Sequence, residues 1–212
     1  MDNRQFLKID DFLTTDEIST IDNELSQISH SLEEVQTLSE NNIISLFSRI
    51  YLDNYYENNR DKSDILKIMQ SKIFNNTTYN KMGKREPLIN LIQFSTDNEA
   101  QYTVYEEGGK YLWHIDSEPI TRPDFKRLRV ANYIYYINDD FEGGELELSY
   151  KRDVEYEGEF YNTPPFVELS ADKVIIPKKN TLIIMPSDMW HRVKPIIKGK
   201  RRTINGHIGF IQ

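Results

Sequence analysis

The chain has 212 residues, a formal net charge of -8 and no cysteine, which excludes a disulfide scaffold and a thiolate metal site and leaves histidine and carboxylate as metal ligands. With 38% hydrophobic and 12% aromatic residues, it is long enough to bury one substantial core, and residues 1–212 are expected to form a single domain. The acidic balance disfavours long-range attraction to phosphate backbones, so no nucleic-acid partner is expected.

The opening segment, Met1 to Leu13, lacks the basic start and apolar core of a signal peptide, and no apolar run reaches membrane-spanning length. A cytoplasmic location without a membrane partner is the expectation. Next, Thr14 and Glu17 form a capping-box pattern, and Ile18, Ile21, Leu25 and Ile28 follow at helical spacing, predicting a first helix. Residues 32–72 are expected to hold further helical stretches, built on Ile44, Leu46 and Phe47 and then on Ile65, Leu66, Ile68 and Met69. A polar segment from Asn54 to Ser63 separates them. The cluster Asn75-Asn76-Thr77-Thr78 reads as a polar loop rather than as glycan acceptors. These helices are expected to buttress a sheet.

From about residue 88 the texture changes to short β-rich runs: 88–94, 129–137, 145–150, 173–177 and 181–186. Gly143-Gly144 is a hairpin signal, and Lys178-Lys179-Asn180 is a turn between two apolar strands. Many short strands predict a sandwich or barrel. No internal repeat or low-complexity linker interrupts the chain.

The chemistry concentrates in His114-Ile115-Asp116, His191 and Arg201. Two imidazoles and one carboxylate are the facial triad that holds non-haem Fe(II) while leaving positions open for a co-substrate and O2. Residues two apart in a strand share a face, so His114 and Asp116 can reach one ion while Trp113 and Ile115 turn the other way. Iron with one aspartate keeps one positive charge, and a keto acid with two carboxylates brings two negative charges. A buried guanidinium at Arg201 balances the remainder and pairs with the far carboxylate through two parallel hydrogen bonds. The set reads as iron plus 2-oxoglutarate.

The stretch Tyr105 to Asp116, followed by Arg129 to Asn138, by Gly143-Gly144-Glu145 and by His191 through Pro195 to Gly199-Lys200-Arg201, resembles the prolyl 4-hydroxylase-like branch of the 2-oxoglutarate/Fe(II) oxygenases. The similarity covers roughly residues 100–212 in order, with weaker support from the Phe12-Leu13-Thr14-Thr15-Asp16-Glu17 opening. It implies a mainly β fold with N-terminal helices, a double-stranded β-helix or jelly roll buttressed by helices: helical support and first strands in 1–95, and the catalytic core in 96–212. It implies His114, Asp116 and His191 on iron and Arg201 on the distal carboxylate of 2-oxoglutarate, with Tyr136 helping to hold that carboxylate and Tyr105 facing the co-substrate. Arg129 matches a position that can face a peptide substrate, and Trp113 and His207 join it as candidate substrate-side residues. Fe(II) is the implied metal, 2-oxoglutarate and O2 the cosubstrates, and ascorbate the reductant.

Three positions depart from the collagen-type pattern. Arg201 stands where lysine is usual, His207 replaces a final-strand tryptophan, and the glycine pair continues as Glu145-Leu146. The last two leave the substrate open, because the final strand and the hairpin border the pocket. The implied reaction is oxidative decarboxylation of 2-oxoglutarate to succinate and CO2, coupled to hydroxylation of an unactivated carbon. Asp116 argues for hydroxylation over halogenation, since a small residue there would open a halide site.

Plainer readings apply to most other candidates. A lone His-x-Asp is usually a surface pair; the ordered partners make the difference here. Arg202 reads as a solvated neighbour of Arg201, His30 as an exposed helical residue, and His207 as a packed, hydrogen-bonded histidine with a pocket role as the alternative. Trp113 and Trp190 brace or line the pocket, with bracing favoured, and many of the 13 tyrosines belong to the core. Lys151 to Leu169 is a candidate mobile lid.

The leading function is therefore a hydroxylase acting on a prolyl or other residue of a peptide or protein, with a free amino acid or small metabolite as the near alternative. A nucleic-acid demethylase would be expected to carry a second arginine where His207 stands. A cupin-like metal protein working without a keto acid, or an inactive jelly-roll binding module, would leave Arg201 or the ligand set unexplained.

Overall fold

The structure, a computed structural model, describes residues 6–39, 42–57, 59–75, 88–89, 92, 95, 97–116, 127–151 and 167–211. Helix α1 (Thr15–Ile28) begins as its sequence predicts: the Thr14 hydroxyl accepts from the Glu17 N–H, and the Glu17 carboxylate accepts from the Thr14 N–H. Its buried stripe is Ile21, Leu25 and Ile28. Helix α3 (Asp64–Ile73) is capped by the Ser63 hydroxyl, with the short helix α2 (Leu52–Tyr55) before it. The two long helices are tied by the buried Glu24 carboxylate, which accepts from the Tyr56 and Ser63 hydroxyls and the Ile65 N–H at 2.7–2.9 Å. No described helix is long and apolar enough to cross a membrane.

The helix expected around Ile44, Leu46 and Phe47 is instead a strand. Strands β2 (Glu33–Ser39) and β3 (Asn42–Tyr51) pair as an antiparallel hairpin. Isoleucine and aromatic residues favour a pleated surface, and β3 has ladder partners on both edges: β2 along one, and along the other β4 (Asp97–Tyr105) at Ser48–Tyr51 followed by β5 (Lys110–His114) at Ser45–Leu46. Tertiary pairing overrides the local helical spacing. The strand expected at 88–94 is corrected in the opposite sense: Leu88, Ile89 and Ile92 are helical and buried, their i, i+1, i+4 spacing placing them on one helical face. The polar cluster at 75–78 lies outside the described residues beyond Asn75, and the candidate lid is described only at Lys151 and at 167–169.

The remaining strands are β1 (Leu7–Asp10), β6 (Arg127–Tyr136), β7 (Glu142–Gly143), β8 (Leu146–Ser149), β9 (Lys173–Ile175), β10 (Thr181–Pro186), β11 (Trp190–Val193), β12 (Ile196–Lys198) and β13 (Arg201–Ile211). Among the described residues they form one antiparallel sheet of eleven strands, ordered β1-β10-β6-β13-β4-β3-β5-β11-β8-β9 with β2 on β3, and a separate pair, β12-β7. Strand β3 joins the two halves of this curled sheet, the mainly β jelly roll expected from the sequence. Its N-terminal segment thus contributes a central strand as well as supporting helices.

Alternation along the strands sorts the faces. Tyr102 and Val104 of β4, Tyr133 and Tyr135 of β6, Leu182 and Ile184 of β10, and Ile204 and Ile208 of β13 pack with the helices in one core. Each large apolar side chain fully buried there contributes about 1.5–3 kcal/mol. Ile134, Tyr136, Ile183 and Met185 face the other way, against Leu146 and Leu148 of β8.

Gly143 and Gly144 adopt left-handed φ of 80° and 67°, but they do not close a hairpin between sheet neighbours. β7 pairs with β12 and β8 with β11, so the glycines carry the chain from one sheet to the other. A Cβ on Gly143 would meet the Pro195 carbonyl at 2.4 Å, and one on Gly144 would meet Ile196 at 2.5 Å and the Arg201 stem at 3.1 Å. Close approach requires glycine at these positions.

Candidate active site

His114 ends β5 and His191 sits in β11, directly opposite each other in register. Asp116 follows β5 with its N–H donating to the Ser187 carbonyl at 3.0 Å, which turns its carboxylate back toward both imidazoles. The Asp116 carboxylate lies 3.8 Å from His114 Nε2 and 3.4 Å from His191 Nε2, and the candidate ligand atoms all lie within 4.8 Å of one another. Two atoms each about 2.1 Å from one ion stand at most about 4.2 Å apart, so both carboxylate separations suit a shared metal.

Both histidines are held by their other nitrogen. His114 Nδ1 donates to the Leu112 carbonyl at 2.7 Å and His191 Nδ1 to the Met189 carbonyl at 3.0 Å, which leaves each Nε2 lone pair for a metal. Burial and the neighbouring His191 push the His114 pKa down to about 3. Burial also pulls His191 down, but the Asp116 carboxylate outweighs it and holds His191 above its ordinary 6.5. Burial would raise Asp116; the surrounding imidazoles, His191 first, hold it below the usual carboxylate range instead.

Arg201 opens β13 opposite Tyr105 of β4. It is fully buried, and none of its guanidinium nitrogens meets a hydrogen-bond partner among the described residues. The guanidinium carbon lies 5.0 Å from the Tyr105 ring centre and 5.1 Å from that of Tyr136, and the Tyr136 hydroxyl is likewise buried without a partner. Burial pushes Tyr105 up to about 12, despite Arg201 beside it. A buried unpaired charge is costly, so this pole of the site fits a ligand carboxylate.

One cavity of about 180 Å³ contains both poles, lined by the three candidate ligands, Arg201 and Tyr105. Arg129 and His207 also line it: Arg129 pairs with Glu99 at 2.9 Å, and His207 Nδ1 lies 2.9 Å from Asn132 Oδ1. Burial lowers the His207 pKa. Trp113 does not line the cavity. It packs behind the ligands with Trp190 and Leu169 under the Arg192 guanidinium, as alternation about His114 and His191 dictates. His30 is exposed in a short 3-10 turn.

Sequence reasoning missed several lining residues. Phe47 and Arg49 were hidden by the helical reading of β3. Tyr111 stacks on His114 with ring centres 3.7 Å apart, and burial, with the Asp116 charge, raises its pKa. Gln101, Asn132 and Asn205 line the wall beside His207; counting every second residue from Arg201 along β13 would have found Asn205.

Comparison with known proteins agrees with this geometry. The sequence pattern of the 2OG-Fe(II) oxygenase superfamily matches residues 100–209. A PKHD-type hydroxylase of Teredinibacter turnerae is 26% identical over 129 residues, which are 59% of this chain and 49% of that one; the chain spans about half the length of this curated relative. A Pseudomonas putida prolyl-4-hydroxylase shares the fold at a TM-score of 0.60 and 16% identity, over 99% of this chain and 95% of that one. A Trichoplax adhaerens prolyl hydroxylase, solved with a hypoxia-inducible-factor peptide fragment, does so at 0.62 and 18%, over 98% and 84%. The His-Asp-His group and Arg201 lie inside the matched segment, and the chain belongs to the 2OG-Fe(II) oxygenase superfamily.

Proposed function

We propose that the protein is an Fe(II)- and 2-oxoglutarate-dependent dioxygenase that hydroxylates a C–H bond in a prolyl or other residue of a peptide or protein, releasing succinate and CO2. The observation that carries this reading is the buried Arg201 guanidinium, without a hydrogen-bond partner among the described residues, in the same cavity as the His114-Asp116-His191 group. A metal protein working without a keto acid has no use for that cation.

His114, Asp116 and His191 would hold the iron, which when bound supplies the oxygen-activating chemistry. Arg201 would take the distal carboxylate of 2-oxoglutarate bidentately, with the Tyr136 hydroxyl as a further donor and Tyr105 packed against the guanidinium. The second carboxylate and keto oxygen would then be directed at the metal. Arg129 and His207 would face the substrate, whereas Trp113 would brace the ligand strands. The peptide bound to the Trichoplax neighbour supports a peptide or protein substrate, and ascorbate is the proposed reductant.

The test is succinate release from 2-oxoglutarate with Fe(II), ascorbate and O2, with and without peptides or free amino acids. Stimulation by peptides supports the reading, and stimulation by amino acids alone moves the substrate to a small metabolite. Absence of both turnover and anaerobic 2-oxoglutarate binding would remove the oxygenase assignment.

A further inference from the structure

The cavity has a third polar feature that neither the metal group nor Arg201 uses. Along β13 the residues on the cavity face are Arg201, Thr203, Asn205 and His207, with Tyr105, Thr103, Gln101 and Glu99 opposite them on β4, and Ile134 and Asn132 opposite Asn205 and His207 on β6. Gln101 and Asn205 are direct cross-strand partners, and Asn132 pairs with the next inward residue, so three side-chain amides share two adjacent rungs. Opposed side chains on one sheet face have Cβ atoms about 5 Å apart. All three line the cavity.

Among the described residues, each amide in this patch retains an unused hydrogen-bonding atom. Asn132 is 2% exposed; its Oδ1 accepts from His207 while its Nδ2 is buried without a partner. Asn205 donates from Nδ2 to the Thr103 hydroxyl at 3.2 Å, and its Oδ1 is buried without a partner. Gln101 Oε1 is in the same condition. For the two asparagines, one half fixes the side chain and the other is presented. Buried polar groups left unmade cost stability, so a concentration of them on a cavity wall marks where a ligand supplies the partners. The patch lines the same cavity as the metal group.

Two free carbonyl oxygens and one free amide NH2 group complement a group that carries both N–H and C=O. We propose that Gln101, Asn132 and Asn205 form a specificity subsite that hydrogen-bonds an amide group of the substrate and so sets the carbon presented to the metal. The inference rests on the oxygenase reading above. A peptide offers an amide from the carboxamide of an asparagine or glutamine side chain or from the main chain beside the target residue.

The experiment uses peptide pools that differ in one fixed central residue, each added to the Fe(II) protein with 2-oxoglutarate and O2 while succinate is measured. Stimulation confined to asparagine- or glutamine-centred pools supports the side-chain source. Stimulation by another centre, lost when the adjoining main-chain amide is N-methylated, supports the main-chain source. In either arm Asn132→Asp, which keeps the acceptor for His207 and loses the donor, and Gln101→Met should each raise the KM of the leading peptide about tenfold or more, with a smaller change in kcat. Calorimetric Kd values for that peptide on the anaerobic Fe(II)/2-oxoglutarate protein should rise by a similar factor. Unchanged KM and Kd in both variants would overturn the subsite, as would silence of every pool while 2-oxoglutarate still binds. Failure of 2-oxoglutarate to bind the unaltered protein would instead overturn the oxygenase reading.

Discussion

The two faces of β13 contrast sharply although they alternate residue by residue. Outward, Ile204 and Ile208 are fully buried in the apolar core under the helices. Inward, Arg201, Thr203 and Asn205 carry buried polar atoms without partners among the described residues. One face supplies the burial that stabilises the sheet, and the other gives up part of that stability to polar groups unmet by the described residues. A strand thus separates folding from chemistry by its period of two.

The sharpest way to break this comparison is at the cavity. Asp116→Ala should abolish iron-dependent succinate release, and Arg201→Met should weaken 2-oxoglutarate binding by about 100-fold or more, the scale of a lost bidentate charge pair. Arg201→Met should also raise the thermal midpoint, because an unpaired buried cation is replaced by an apolar side chain of similar length. A scan showing unchanged binding or a lowered midpoint would contradict the division of faces.

On the opposite face the signs should reverse. Ile204→Ala should cost about 2–4 kcal/mol in denaturant unfolding while 2-oxoglutarate affinity at saturating Fe(II) stays nearly constant. A comparable loss of affinity would show that the faces are coupled.

Acidity sharpens the contrast next. The Asp116 partner keeps His191 protonated to a pH above its ordinary 6.5, and a metal must displace that proton. Fe(II) affinity should therefore fall as pH is lowered through the raised His191 value, about tenfold per pH unit below it. Anaerobic calorimetry across the neutral range reads this directly, and pH-independent affinity would contradict the raised His191 pKa. The smallest effect belongs to the helix layer: Thr14→Ala removes a cap and should cost about 1 kcal/mol, leaving metal binding intact.

Much of this division was legible in the sequence because its signals are local. The capping box of α1, the His-x-Asp pair, and Arg201 ten residues beyond His191 each rest on short spacing, and the structure brings the last two sets together in one cavity. What escaped depends on distant pairing. Leu46 and Phe47 carry a spacing compatible with a helix, and pairing fixes them in a strand instead: with Gln36 and Val35 of β2 across the hairpin and, for Leu46, with Lys110 of β5 more than sixty residues on. Leu88 and Ile92 erred the other way, since a short apolar run cannot by itself distinguish a strand from a buried helix. The amides of Gln101 and Asn132 are ordinary polar residues until β13 is laid between their strands.

That placement bears on how the protein is synthesised. β4 and β6 share no ladder with each other; β13, which follows them by more than sixty residues, pairs with both. A nascent chain that has not yet released residues 201–211 has two strand edges facing an unfilled slot, where pairing with another chain is the hazard. Completion of the sheet must wait for its middle strand, so protection from premature aggregation during translation and arrival of Arg201 and Asn205 in the cavity are the same late event.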